Sequence, residues 1–150
     1  MAEASDILTA SGIVHAAIDA DLLGIVHLPE NSSVDLALQN LAAVWANYAA
    51  AGVTRLLLAA AVESAADRDA VLRAIPGARI TICRLRAGVS TMQERVRQRE
   101  PGMLQQKLVH RVAELEAILD STGMADFSVA NEDRLVTEVA REILVRAGWL

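Results

Sequence analysis

The sequence predicts an α/β fold: a three-layer sandwich on a mostly parallel sheet of about four strands, forming one domain over residues 1–150. Three observations predict it. Short β-rich apolar runs alternate with longer segments whose apolar residues recur at helical spacing, and those segments are long enough to serve as crossovers. One run, TRLLLAAAV, is almost continuously apolar, as in a strand covered by helices on both faces. No internal repeat, low-complexity tract or linker interrupts the 150 residues, a length that suits one core.

Each element has its own signal. Ala4, Ile7, Leu8 and Ser11 share a helical face, and Gly12 is placed to end that helix. Residues 13–19 form a short β-rich run. Ser32-Ser33-Val34-Asp35 has capping-box spacing and opens a helix over about 33–51, which Gly52 stops. After the apolar run comes a second box, Ser64 to Asp67, and a helix to about Arg73. Pro76-Gly77 turns the chain into ARITICRL, a third strand. Ser90 with Gln93 starts a helix that Pro101-Gly102 breaks. Residues 103–122 form an amphipathic helix closed by Gly123, FSVAN is a fourth strand, and Glu132 to Ala147 is the last helix.

Composition narrows the function classes. The net charge of −5 and the four aromatics (Trp45, Tyr48, Phe127 and Trp149) argue against nucleic-acid binding by charge or by base stacking. The charge is uneven, since Arg79 to Arg99 contains six arginines and one acid, Glu94. Cys83, the single cysteine, lies in an apolar strand and reads as a small core residue in a reducing compartment. No apolar stretch reaches the ~20 residues of a membrane span, and the N-terminus has no basic-then-apolar leader pattern. The expected location is the cytoplasm.

Several residues stand where chemistry is done. In open α/β sheets ligands bind beyond the carboxyl ends of strands, and Asp19-Ala20-Asp21 follows the first strand directly. A carboxylate there can orient or deprotonate a hydroxyl, or hold a metal ion through water; acids at a strand end are also ordinary solvated turn residues. Glu63 ends the second strand on the same expected edge, where it can lie near Mg²⁺ or assist the next helix N-terminus. Arg95 and Arg99, four apart, share a helix face that can clamp phosphate or pair with Glu94 and Glu100. His15, His27 and His110 share no metal-ligand spacing. The phosphate-loop motif G-x-x-x-x-G-K-[ST] does not occur, and the sole lysine, Lys107, follows Gln106 inside a helix.

Three segments together resemble the P-loop small-molecule kinases, in particular adenylylsulfate-kinase-like and related bacterial ATP-binding proteins. HAAIDAD resembles the family's acidic substrate-side strand. CRLRAGVSTMQERVRQRE is similar to a strand leading into a lid helix of the form L-x-x-R-x-x-x-R, with Met92 in the leading apolar place. FSVANEDRLVTEVAREIL resembles the last strand, the nucleotide-base loop and the closing helix. The resemblance covers nearly the whole chain. It implies ATP and Mg²⁺ as cofactors and a small-molecule substrate, with Asp19 or Asp21 positioning the acceptor. It also implies that Arg95 and Arg99 neutralise the transferring phosphoryl group and that Asn131 lies near the base. In that family the helix before the acidic strand begins with the Gly-Lys-Ser/Thr of the phosphate loop, whereas here it begins at Met1. The expectation is a P-loop-kinase-like domain without its first central strand, inactive as written. The alternatives are a non-catalytic α/β domain that binds a partner or a second copy of itself, and a doubly wound binding domain whose ligand sits at the strand ends.

Overall fold

The computed structural model describes residues 1–27 and 35–150. They divide into two compact units, Met1–Ala61 with Ala65–Ile80 and Val62–Ser64 with Thr81–Leu150.

The first unit runs α1 (Ala2–Ala10), β1 (Ala16–Asp19), α2 (Ala20–Leu23), α3 (Leu36–Ala50), β2 (Leu56–Ala59) and α4 (Ala65–Ala74). In α1 the i,i+4 pair Ala4 and Leu8 is buried, as the helical period requires. His15 ties this helix to the start of β1. Its Nδ1 donates to the Ile13 carbonyl at 2.8 Å, which leaves Nε2 for the Ser5 hydroxyl at 2.7 Å. β1 and β2 are parallel, in register from Ala16 opposite Leu56 to Asp19 opposite Ala59. The core gathers Ile18, Leu41, Ala74 and Ile75, with Trp45, Leu56, Leu58 and Val71 packed against them. Burying a side chain such as Leu41 contributes about 2 kcal/mol. α2 and α3 approach closely where a Cβ on Gly24 would lie 3.1 Å from the Cβ of Ala37. Of the capping box expected at the start of α3, Ser32, Ser33 and Val34 lie outside the described residues. Asp35 is the cap: its Oδ1 accepts the Leu38 N–H at 3.2 Å, and the helix starts at Leu36.

The second unit runs β3 (Cys83–Arg86), α5 (Val89–Arg99), α6 (Gln105–Thr122), β4 (Phe127–Ala130) and α7 (Val136–Arg146). β3 and β4 are parallel, in register from Cys83 opposite Phe127 to Arg86 opposite Ala130. β3 is shorter than the apolar run ARITICRL because its entry is fastened by a side chain. The Ile82 N–H donates to the Asp126 carboxylate at 2.7 Å, and the Asp126 N–H returns to the Ile82 carbonyl at 2.9 Å. Val129, Val139, Ala140 and Leu144 form the buried contact between β4 and α7. α6 ends where expected, at Gly123, whose φ of 57° is the left-handed cap that glycine adopts without strain. α7 begins at Val136 rather than Glu132, because Asp133 turns the chain with φ 53°.

Alternation along β3 sends its two arginines to one face, where both meet acids of α6: Arg84 pairs with Glu116 at 2.7 Å and with Asp120 at 2.9 Å, and Arg86 pairs with Asp120 at 3.1 Å. On the other face the Arg146 guanidinium of α7 lies 4.5 Å from the centroid of the Phe127 ring. The sequence predicts one sheet of about four strands; the described strands are hydrogen-bonded instead as two pairs, β1–β2 and β3–β4, each parallel within itself. Among the described residues no helix is long and apolar enough to cross a membrane.

Candidate functional site

At the end of β1 the chain enters a helix with no intervening loop. Asp19 is both the last strand residue and the N-cap of α2, and its Oδ1 accepts the Asp21 N–H at 3.1 Å. Aspartate suits this place because its carboxylate satisfies an orphan helix donor and meets the positive end of the helix dipole. Asp21 lies in the first turn of α2 and is exposed. The two predicted acids are thus neighbours by local geometry, one serving as the cap of the helix that carries the other. Lone pairs on Asp19 beyond the one used in capping can accept from a hydroxyl.

Glu63, just beyond β2, faces a guanidinium. Its carboxylate lies 2.5 Å from Arg111 of α6, which also reaches Glu114 at 3.3 Å. The hydrogen bond Arg111 donates to Glu63, followed by the one it donates to Glu114, holds its pKa above the ordinary value. Magnesium takes hard oxygen ligands and needs one or two uncommitted carboxylates beside phosphate oxygens. In this arrangement Glu63 is already matched in charge by Arg111, and no three acids, histidines or cysteines gather as a metal cluster among the described residues. As arranged, these residues do not fit a magnesium site.

The arginines of α5 sit differently. Arg95 donates through Nη2 to the Asn131 carbonyl at 2.7 Å, so two residues predicted for the phosphate and base sites are joined directly. The Asn131 N–H in turn donates to the Arg86 carbonyl at 2.7 Å, which ties the loop after β4 to the end of β3. Arg99 is well exposed and pairs with its neighbour Glu100 at 3.0 Å. The helix therefore presents one guanidinium anchored to the loop and a second, exposed, paired with the adjacent carboxylate.

The acceptor for the start of α5 went unnoticed in the sequence. Ser90 reads there as the helix start, but α5 begins at Val89, behind Gly88, with no capping side chain of its own. Glu132 supplies the acceptor, taking the Gly88 N–H at 2.9 Å on Oε2 and the Thr91 hydroxyl on Oε1. These hydrogen bonds, Thr91 first and Gly88 second, hold the Glu132 carboxyl below its ordinary value, and the charge of Arg95 adds to the effect. One signal could have revealed it: a helix entered from glycine leaves its first N–H groups in need of an outside acceptor.

Arg84, Arg86 and Arg97 of the basic stretch are also engaged. Arg84 is nearly buried between Glu116 and Asp120, with its Nε left without a partner, and Arg97 pairs with Glu94 at 3.3 Å. The run of arginines is thus not an open basic surface. A shallow recess of about 440 Å³ is lined by Arg97, Gln105, Gln106, Val109 and His110, and none of the predicted site residues borders it.

No protein-family model matches the chain, and no curated protein matches it. A solved structure does: the crystal structure of a gluconokinase from Sinorhizobium meliloti 1021 superposes with a TM-score of 0.59 at 21% identity, covering 96% of this chain and 82% of that one. At that identity the likeness is one of fold, and the chain has a kinase-like α/β fold.

Proposed function

We propose that this chain is a kinase-like phosphotransferase domain shaped for a small-molecule substrate and inactive by itself, because its sequence holds no phosphate-binding loop. The observation that carries the proposal is the hydrogen bond from Arg95 to the Asn131 carbonyl, made within a fold shared with a gluconokinase. It sets a guanidinium with further N–H donors beside the loop that would hold the nucleotide base. Phosphoryl transfer asks a protein chiefly for positioning and for stabilisation of charge on phosphate oxygens, and arginine's planar fork suits both tasks.

In this reading Asp19 accepts the hydroxyl proton of the acceptor or orients that hydroxyl, with Asp21 as the second carboxylate at the same strand end. Arg95 and Arg99 donate to phosphate oxygens, and Asn131 lies at the base. ATP, when bound, would supply the phosphoryl group. Glu63 would have to leave Arg111 to take part, so it is given no step. The gluconokinase with which the fold is shared makes gluconate the first acceptor to test. None of the 150 residues forms G-x-x-x-x-G-K-[ST], so the cradle of backbone N–H groups for the outer phosphates is missing from the sequence as given.

The test is calorimetric titration of the 150-residue chain with MgATP, together with an assay of ATP consumption in the presence of gluconate. Detectable binding at about millimolar is expected, the weak end of specific affinity, with no turnover. Turnover would overturn the inactivity of this chain alone. Complete absence of nucleotide binding would overturn the kinase reading.

A further inference from the structure

The helix that carries Arg95 is held at its start from a distance. Helix N-termini leave N–H groups unsatisfied, and Gly88 brings no side chain to meet them. The Glu132 carboxylate does so, accepting from the Gly88 N–H and the Thr91 hydroxyl. It lies close over the helix start: a Cβ on Gly88 would sit 3.5 Å from each of its oxygens. Thr91, Arg95 and Arg99 follow one another at i,i+4 spacing and share a face. The first meets Glu132 and the second donates to the adjacent Asn131 carbonyl, so two consecutive loop residues grip that face one turn apart. The loop is itself fixed by the bond from the Asn131 N–H to the Arg86 carbonyl.

We propose that Glu132 is the positioning residue for Arg95: by capping α5 it sets the rotation and depth of the helix, and so places the guanidinium at the Asn131 carbonyl. What Arg95 binds rests on the phosphotransferase reading; how Arg95 is held does not. A guanidinium fixed before its ligand arrives loses less freedom on binding an anion, and negative charge at the helix start also suits the helix dipole.

The experiment observes the Arg95 guanidinium by NMR, assigned through its loss in Arg95→Lys, and then titrates each protein with inorganic pyrophosphate. In the unaltered chain the Arg95 Nη protons are expected to be resolved, because one of them is held by Asn131. They should average out in Glu132→Ala and in Thr91→Val, whereas Glu132→Gln, which keeps an acceptor for Gly88, should retain part of the effect. Glu142→Gln removes an α7 carboxylate that pairs with Arg134 and Arg146, and should leave the Arg95 signals as they were. Pyrophosphate should bind roughly tenfold more weakly to Glu132→Ala, with little added loss in the Arg95→Ala background, because the two residues act in one network. Unchanged Arg95 signals in Glu132→Ala would overturn the assignment; should that variant not fold, unchanged signals in Thr91→Val would do so. If Arg95 is released as expected but no protein, including the unaltered chain, binds pyrophosphate, the phosphotransferase reading falls and the positioning role stands.

Discussion

At the end of β1, Asp19 is occupied by a residue two positions away; at the start of α5, the Glu132 carboxylate reaches an N–H 44 residues distant. The first contact forms wherever a strand runs into a helix, because it closes a very short loop. The second exists only when the β4–α7 loop has docked on α5. The acids are therefore placed by local geometry, Asp19 half-buried and Asp21 exposed, while Arg95, itself exposed, is placed by tertiary structure and held at the Asn131 carbonyl. Chemistry assigned to the arginines should thus be lost when packing loosens, and chemistry assigned to the acids should tolerate it better.

The largest expected effects come from the core of each unit. Leu41 and Leu144 are almost wholly buried, and replacing either with Ala should cost about 3 kcal/mol through the cavity left behind. Hydrogen exchange should show the loss at β1–β2 for Leu41→Ala and at β3–β4 for Leu144→Ala. Equal loss at both strand pairs from either variant would break the comparison.

Next is the acid–arginine ladder under β3. Replacing both Glu116 and Asp120 with their amides leaves the nearly buried Arg84 without a counter-charge, and should cost about 3 kcal/mol in urea unfolding. Arg84→Met with Glu116→Leu should cost less than Glu116→Gln with Asp120→Asn, since an apolar pair leaves no stranded charge.

The capping acids should matter less. Asp35→Ala removes the cap of a fifteen-residue helix and should cost about 1 kcal/mol, while Asp19→Ala, at a four-residue helix, should cost about 0.5 kcal/mol. Thermal melting separates the two.

The smallest effect is in pH. The Glu132 and Glu142 carboxyls are held below their ordinary value of 4.5, the first by Thr91 and Gly88 and the second chiefly by Arg134. As the pH falls the unfolded chain takes up these protons first, so their stabilisation is complete at neutral pH. It is lost as the pH drops below about 4.5 and through their folded values. Melting curves at stepwise lower pH should fall less steeply for Glu132→Gln and Glu142→Gln.

Much of the fold is legible in the chain because helices announce themselves locally. The apolar spacing of α1 and the glycine that closes α6 placed those elements closely. The strands were overread, since only part of an apolar run finds a hydrogen-bonded neighbour. At Ile82 a carboxylate from Asp126 takes the place of a strand partner. The arginine face of α5 was legible from its four-residue spacing, and the acids from their position after a strand. Glu132 was not, because its two donors lie 41 and 44 residues away and no local pattern records them. Arg111 went unseen for the same reason: it meets Glu63 across 48 residues.

In the proposed function the Arg95–Asn131 contact belongs to a nucleotide phosphate and base site. Titrating ¹⁵N-labelled chain with MgATP tests it most directly. Saturating shifts are expected at the Asn131 amide and the Arg95 guanidinium, centred at about millimolar nucleotide and abolished by Arg95→Ala. Shifts confined to other residues, or none at either group, would contradict it.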